Sequence, residues 1–475
     1  TIMIAVFMLS LLFDRERNIL NTLALCALII LLIYPHSLFM PSFQLSFLSV
    51  LFIIIIMKRL YAIINRIRNR IAKWLLASVI ATSAATLGTL PVVIYHFYGI
   101  NPLCMIHNLI SIPLLCTISV PVSLMGMIAP FGDFLLRFSG EIIDLNISIL
   151  RHLDTGFIFP VVRPEFIEIL LFYAFMLSII FIHRKPVRCL LLFVLIPALL
   201  ITVYIACDKR WNNRLYVNVI DVGTGEAILI EAPGGVRVLV DSGGDHRGNF
   251  DTGKTVLTPI LLSKKILTLD YIINTHPHMD HIGGMPYILK TFNVRTYVTG
   301  GFFMNEYRFI EALKIIREKG INLQVWKSRK TLKLGEATQI IVLHPQEDFV
   351  DENLNNTSLV LKLTHRNNSF LLTGDIESDI EEKLILSDMP LRSNILKVPH
   401  HGSKYSSSIP FLRAVNPDIA VLSVGTSIKG LPSREVATRY KTLSIPVLST
   451  LENGFIRFSS DGDKISYWVF QANKK

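Results

Sequence analysis

At 475 residues the chain is too long for one ordinary hydrophobic core, which excludes a single-domain reading. Its net charge of +11 fits an anionic partner or an anionic lipid surface and does not choose between them. Composition splits the chain: residues up to about Cys207 are rich in Leu, Ile, Val, Phe and Ala, while from Trp211 the mixture is that of a soluble α/β domain. The five cysteines (Cys26, Cys104, Cys116, Cys189, Cys207) lie in or at the edge of the apolar half without metal-ligand spacing. They read as small apolar fillers.

In chain order, Thr1–Phe13 is an apolar run bounded by Asp14-Arg15-Glu16-Arg17, with no basic leader and no small-residue cleavage site. It is expected to be the tail of a membrane span, in a chain that continues a longer protein. Further spans are expected at Asn18–Tyr34, Phe43–Met57, Trp74–Phe97, Leu103–Pro130, Glu165–Ile182 and Cys189–Ile205. Leu103–Pro130 contains Pro113, Pro121, Gly126 and Pro130. It reads either as one kinked span or as a re-entrant pair beside a pathway. Lys58, Arg59, Arg66, Arg68, Arg70 and Lys73 are expected to crowd one inside loop, and Arg184, Lys185 and Arg188 a second. That puts the soluble domain outside, against the opposing signal of Lys209, Arg210 and Arg214. Asp133–Asp154 has the apolar spacing of an amphipathic helix at the membrane surface or packed on the bundle. The polar residues Gln44, His96, Asn101, His107 and Asn108 fall within spans, where helix–helix hydrogen bonding and a conduction role are both open; Gln44 and Asn108 are the pathway candidates.

The second half begins with strands at Leu215–Ile220, Ala227–Glu231 and Val236–Val240, the last two joined by the turn Pro233-Gly234-Gly235. A strand at Tyr271–Asn274 delivers Thr275-His276-Pro277-His278-Met279-Asp280-His281, followed by a helix from Met285. Further strands are expected at Ile340–Leu343, Ser358–Leu363, Ser369–Thr373, Ile395–Val398 and Ile419–Ser423, with a helix at Tyr307–Glu318. Strands and helices in two successive sets argue a layered αββα sandwich. Three imidazoles and a carboxylate on one strand-end loop suit a transition metal: His276 and His278 for one ion, Asp280 and His281 for a second. His344, at a strand end, is left out of the site. Lys264-Lys265 and Lys327, Arg329, Lys330 and Lys333 are either phosphate contacts or solvated loop charges. No helix-turn-helix, zinc-finger or RNP string is present, which argues against sequence-specific reading of nucleic acid.

Two strings in the apolar half resemble the ComEC-type competence membrane channels: Pro41-Ser42-Phe43-Gln44-Leu45-Ser46-Phe47, and Asn108-Leu109 with Ile112-Pro113. The second half resembles the metallo-β-lactamase fold of the same family. The matching strings are His276-x-His278-x-Asp280-His281, Asp221-Val222-Gly223-Thr224-Gly225-Glu226, Asp241-Ser242-Gly243-Gly244, Leu372-Thr373-Gly374-Asp375 and Leu396-Lys397-Val398-Pro399-His400-His401-Gly402-Ser403. The resemblance implies a polytopic helical membrane domain over residues 1–207 and an αββα metallo-β-lactamase-fold hydrolase domain over 211–475. It implies two divalent metal ions, Zn or Mn, held by His276, His278, Asp280 and His281, bridged by Asp375 and completed by His400 or His401; spacing does not say which. Asp221 and Asp241 are expected as outer-sphere orienters, and Asp280 also as the catalytic proton acceptor. The implied protein is a multi-pass plasma-membrane protein of DNA uptake that passes single-stranded DNA and degrades the other strand. DNA, membrane lipid, uptake-machinery proteins and further copies of the chain are its implied partners. A membrane-tethered hydrolase of another phosphodiester or ester, and a channel with an impaired hydrolase domain, are the alternatives. Three departures from the family pattern bear on activity. No further His precedes Asp375, Asn355 and Asn356 standing in that neighbourhood. Thr224 and Glu226 replace Gln and Asp. Leu431 stands where the family has a His.

Overall fold

The computed structural model describes residues 19–130, 132–153, 158–180, 213–223, 225–245, 250–425 and 430–470, with a few single positions between 193 and 204. The expected span Thr1–Phe13, the loop carrying Arg184, Lys185 and Arg188, Thr224, and almost all of Cys189–Ile205 lie outside the described residues, as do Lys209 and Arg210. The chain divides into two compact units, Thr1–Leu200 and Ile201–Lys475.

The described helices of the first unit are α1 (Ile19–Ile33), α2 (Pro41–Asn65), α3 (Arg70–Phe97), α4 (Cys104–Gly126), α5 (Gly132–Leu153) and α6 (Phe166–Ile180). Three of them, α2, α3 and α4, are long and apolar enough to cross a membrane. Pro41 opens α2 at a position where its missing N–H leaves nothing unpaired. The basic residues expected to crowd one loop are instead spread over helix ends. Lys58 and Arg59 lie within α2, Arg70 and Lys73 begin α3, and only residues 66–69 link them. Lys and Arg are good helix formers whose long stems leave the charge clear of the apolar surface, so the helices run past the apolar stretch. Asn69 caps α3 by accepting from the amides of Ile71 and Ala72 at 2.9 and 3.2 Å.

Within Leu103–Pro130, residues Cys104–Gly126 form one continuous helix, long and apolar enough to cross a membrane, rather than two separate helices. Within α4 the segment Ile112–Ser119 is wound as π-helix. Pro113 and Pro121 cannot donate to the preceding turn, and the wider winding accommodates them. Helix α5 has the expected amphipathic character. Ser139, Ile142 and Asn146 are buried, and the Ser139 hydroxyl lies 2.7 Å from those of Ser119 and Ser123 on α4. Asp133, Arg137, Glu141 and Asp144 are exposed. At Gly88 of α3 a Cβ would collide with the ring of Phe52 on α2. The bare backbone lets these helices touch, and Tyr173 of α6 donates to the Gly88 carbonyl at 2.9 Å. The pathway candidate Gln44 joins two helices: its amide donates to Leu38 O at 2.8 Å and its carbonyl lies 2.9 Å from His96 Nε2. Asn108 is exposed on α4.

The second unit carries two sheets. Strands β1 (Leu215–Val219), β2 (Ile228–Glu231), β3 (Arg237–Val240), β4 (Thr268–Ile273), β5 (Asn293–Thr299) and β6 (Asn322–Val325) belong to the first, with β14 (Phe455–Ser460) and β15 (Ile465–Phe470) returning to it; the order is β15-β14-β1-β2-β3-β4-β5-β6. The second contains β7 (Thr331–Lys333), β8 (Thr338–His344), β9 (Val360–His365), β10 (Asn368–Leu372), β11 (Ile395–Lys397), β12 (Ile419–Leu422) and β13 (Val447–Ser449), in reverse order across the sheet. The inner faces pack into one core containing Val217, Ile230, Val240, Val342, Leu361, Phe370 and Phe458. On the far face of the second sheet, Leu371 and Leu396 pack with Ile380, Phe411 and Tyr440 from three helices. Helices Met285–Thr291 and Tyr307–Lys319 bury Ile288 and Leu289, and Phe309 and Ile316. This is the αββα layering expected from the strand and helix pattern. Strands β5 to β7 and β13 to β15 add to that expectation. Most are half-exposed edge strands whose apolar period is weak.

In the first sheet β3 to β6 run parallel, and in the second β10 to β13 do. Parallel strands point their carboxyl ends the same way, and loops at those ends form the place where ligands collect in α/β sheets. Asp241 follows β3, His276 to His281 follow β4, Asp375 follows β10, and His400 and His401 follow β11.

Candidate metal centre

The loop after β4 turns at once into the short helix Met279–Ile282, with His278 in extended conformation as its N-cap. That turn brings Asp280 and His281 to the inside, both buried. It is seated under the loop after β1. Gly225 has φ +89° and a Cβ there would strike the Asp280 carbonyl, so only glycine lets the two backbones approach. The Glu226 amide then donates to Asp280 O at 3.1 Å, and the Ser242 amide to His281 O at 2.8 Å.

Four side chains converge: Asp280, His281, Asp375 and His401 each offer one ligand atom, all within 4.8 Å of one another. His281 Nε2 lies 3.2 Å from Asp375 Oδ2, and His401 Nε2 lies 3.3 Å from the same oxygen and 3.6 Å from Asp280 Oδ2. The outer nitrogen of each imidazole is already committed. His281 Nδ1 donates to Asp241 Oδ2 at 2.7 Å, and His401 Nδ1 to the Ser423 carbonyl at 2.7 Å. Both Nε2 lone pairs therefore point into the cluster. Two imidazoles and two carboxylates aimed inward, with the rings held by acceptors behind them, is a donor set that fits a divalent transition metal.

The electrostatics agree. Burial alone disfavours a charged His281, but Asp375, Asp241 and Asp280 outweigh it and hold its pKa well above the ordinary value. His401 is pushed up in the same way, chiefly by Asp375. Burial works to raise the Asp375 pKa, yet His401, His281 and Lys397 hold it well below the carboxylate range. The cluster attracts positive charge at the place where a cation fits.

His276 and His278 form a second, adjoining pair. His276 Nε2 lies 3.1 Å from His278 Nδ1, and His276 Nδ1 lies 3.2 Å from the Ser358 hydroxyl. Burial first, then the neighbouring His281, pushes His276 far down; burial also lowers His278. Both rings are kept neutral, the form that binds metal. Among the described residues no third His, Cys, Asp or Glu completes a tight group with this pair. Asn355 hydrogen-bonds to His278, and the Asn356 amide oxygen accepts from Glu377 N at 3.1 Å.

The geometry chooses between His400 and His401, which spacing left open, and departs from the expectation for Asp221. His400 does not join the cluster, although adjacent His401 does. Both take left-handed backbone, with φ of 45° and 50°, which turns His401 inward and leaves His400 partly exposed, 3.4 Å from Glu377. Asp221 does not orient a ligand. It is exposed and accepts from the Gly223 amide at 3.1 Å, closing its own turn. Asp241 behaves otherwise: fully buried at φ 56°, it also accepts from the Thr275 amide at 2.8 Å and hydroxyl at 2.6 Å. His344 lies outside the cluster, buried against Phe349 with Nε2 on Asn356 O at 2.8 Å. Lys264 is paired with Glu231 at 2.7 Å and Lys327 lies over the Phe302 ring.

Sequence reasoning gave no role to Lys397. Fully buried, it contacts Asp375 Oδ1 at 3.2 Å, the Gly374 carbonyl at 2.8 Å, and Glu226. The available signal was a lone lysine in the buried apolar strand Ile395-Leu396-Lys397-Val398, which demands a partner.

Residues 1–186 match the competence protein family, and residues 220–426 match the metallo-beta-lactamase superfamily. The chain joins a competence-protein region to a metallo-beta-lactamase region, an arrangement that fits the ComEC-type competence proteins. It is 28% identical over 467 residues to ComE operon protein 3 of Bacillus subtilis (strain 168), covering 92% of this chain and 58% of that protein. It is 30% identical to the uncharacterized protein YcaI of Escherichia coli (strain K12), covering 80% of this chain and 48% of that one. Competence protein ComA of Neisseria gonorrhoeae is 26% identical, with 79% of this chain and 50% of the relative covered. The chain thus spans about half the length of the curated relatives it matches. A family of competence membrane proteins with a metallo-β-lactamase domain accounts for both units: apolar helices first, then a layered domain with a metal-capable cluster.

Proposed function

We propose that this chain acts in DNA uptake at the plasma membrane. Its helical unit passes single-stranded DNA, and its second unit cleaves phosphodiester bonds of the strand that does not enter. The observation that carries the hydrolase half is the convergence of Asp280, His281, Asp375 and His401 from loops of both sheets. Similarity of residues 1–186 to the competence protein family supports the transport half. The proposed cofactor is a pair of divalent ions, Zn or Mn by the imidazole and carboxylate donors, with His276 and His278 serving the second ion. Bound there, such ions activate water at neutral pH and offset charge on a phosphodiester.

The chain's own residues supply orientation and proton handling. Asp241 and the Ser423 carbonyl fix the rings of His281 and His401. Asp375 presents one oxygen between those rings. Asp280, 3.6 Å from His401 Nε2, is the proposed acceptor of the proton from the attacking water. A duplex is too wide for a narrow helical conduit, so removal of one strand is a coherent counterpart to passage of the other. Uptake-machinery proteins and further copies of the chain are the proposed partners.

The test uses the full chain in detergent with Mn²⁺ or Zn²⁺ and end-labelled DNA. Cleavage is expected, and the double variant His278→Ala/Asp280→Ala is expected to lose it while remaining folded. Hydrolysis of small phosphodiesters without DNA cleavage would replace this reading with a membrane-tethered hydrolase of another ester. The absence of a third group beside His276 and His278 among the described residues, with Leu431 in the place of a family His, favours a channel with an impaired hydrolase as the second reading. No cleavage with any of several metals and DNA forms would establish it.

A further inference from the structure

Lys397 and Glu226 come from opposite sheets and meet beneath the metal cluster. Lys397 ends β11 of the second sheet, while Glu226 lies in the loop between β1 and β2 of the first. Both are completely buried. The ammonium has three protons and three acceptors: Glu226, the Gly374 carbonyl at 2.8 Å and Asp375 Oδ1 at 3.2 Å. Asp375 is thereby divided. Its Oδ1 is held by Lys397, and its Oδ2 faces His281 and His401 at 3.2 and 3.3 Å. Glu226 is tied as firmly by its backbone. Its amide donates to Asp280 O at 3.1 Å, and its carbonyl accepts from Gly243 N at 2.7 Å.

The cluster itself is assembled from both sheets. Asp280 and His281 come from the first, Asp375 and His401 from the second. Two half-sites on separate sheets need a fixed registry to hold one ion. Glu226 is bonded to the Asp280 loop, and Lys397 is bonded to Asp375. The pair therefore connects the halves directly below the place where their donors meet.

We propose that Glu226 and Lys397 are positioning residues of the metal site. The pair sets the registry of the two half-sites and reserves Asp375 Oδ2 for the cation. Neither is itself a ligand. A simpler role, an ion pair that only stabilises the fold, makes a different forecast, because a buried pair replaced as a whole by neutral side chains often leaves stability intact. The proposal rests on the metal-holding reading of the cluster, and the experiment separates the two.

The test measures Mn²⁺ stoichiometry, Mn²⁺ affinity and thermal unfolding of the full chain in detergent, with and without the ion. Glu226→Gln is expected to weaken Mn²⁺ binding roughly 10- to 100-fold, as loss of an outer-shell partner does, without changing the number of ions bound. The charge-neutral double variant Glu226→Gln/Lys397→Met is expected to unfold near the wild-type temperature without Mn²⁺ and still to bind Mn²⁺ weakly. Glu226→Gln/Lys397→Gln repeats the measurement if the methionine variant does not fold. Wild-type affinity in Glu226→Gln or in a folded double variant overturns the proposal in favour of a structural ion pair. Loss of one bound ion, with wild-type affinity for the remainder, overturns it by making Glu226 a ligand. A wild-type chain that binds no divalent ion overturns the metal reading itself.

Discussion

His400 and His401 are chemically identical neighbours with opposite fates. Left-handed backbone at both residues sends one ring to Asp280 and Asp375 and the other toward Glu377. His401→Ala should therefore weaken divalent-ion binding by roughly tenfold or more, while His400→Ala should leave it within about threefold. Isothermal titration of the two variants decides this, and equal losses would contradict the geometry. His344 offers a test away from the metal. Burial pushes its pKa down to about 4, and it is only 4% exposed. A depressed folded-state pKa means that the unfolded chain binds the extra proton first. The stabilisation is present above the unfolded value near 6.5 and is lost as pH falls toward about 4. The shift corresponds to about 3 kcal/mol over that window. Chemical denaturation between those pH values should show a flatter pH dependence for His344→Gln than for the wild type; parallel curves would rule out His344 as the cause.

At the scale of elements, the first unit uses close backbone contact as well as polar pairs. Gly88 lies where α2 and α3 touch, with Phe52 against it and the Tyr173 hydroxyl on its carbonyl. A branched side chain there must force the helices apart, and overpacking of this kind typically costs about 1–3 kcal/mol. Gly88→Val should lower the unfolding temperature of the detergent-solubilised chain and broaden its size-exclusion profile. Gly140 of α5 has open space at its Cβ, so Gly140→Ala serves as the control and should neither lower the unfolding temperature nor broaden the profile. In the second unit, the corresponding close approach is Gly225 over the Asp280 carbonyl, where packing and site geometry are one constraint.

For the whole molecule, the two units should respond differently to metal. The second draws its cluster from both sheets, so an ion bound there would join them and would stabilise the folded state by mass action, about 2.7 kcal/mol at a hundredfold excess over Kd. Stripping divalent ions with a chelator should lower the unfolding temperature of this unit by several degrees and leave the helical unit unchanged. Two thermal transitions followed with and without chelator would show this. A shift confined to the helical unit, or none at all, would contradict the placement of the ion.

Much of this architecture was legible in the amino-acid order. Apolar runs marked α2, α3 and α4, because lipid-spanning length and composition are local properties. Short β-rich runs marked most inner strands of the sandwich, and His276, His278, Asp280 and His281 stood out through their density on one strand-end loop. Strands β5 to β7 and β13 to β15 were less visible; β6, β7, β13 and β15 lie at sheet edges, and a half-exposed edge carries little apolar period. Tertiary structure decided among the distant candidates that the sequence left open. His401 rather than His400, Asp241 rather than Asp221, and the Glu226–Lys397 link were settled by backbone turns and by two sheets meeting face to face. The physical reason is that a ligand's chemistry belongs to its residue type, whereas its direction belongs to φ, ψ and the partner behind it. Those partners, such as Ser423 behind His401, lie far away in the chain and come together only when the core closes.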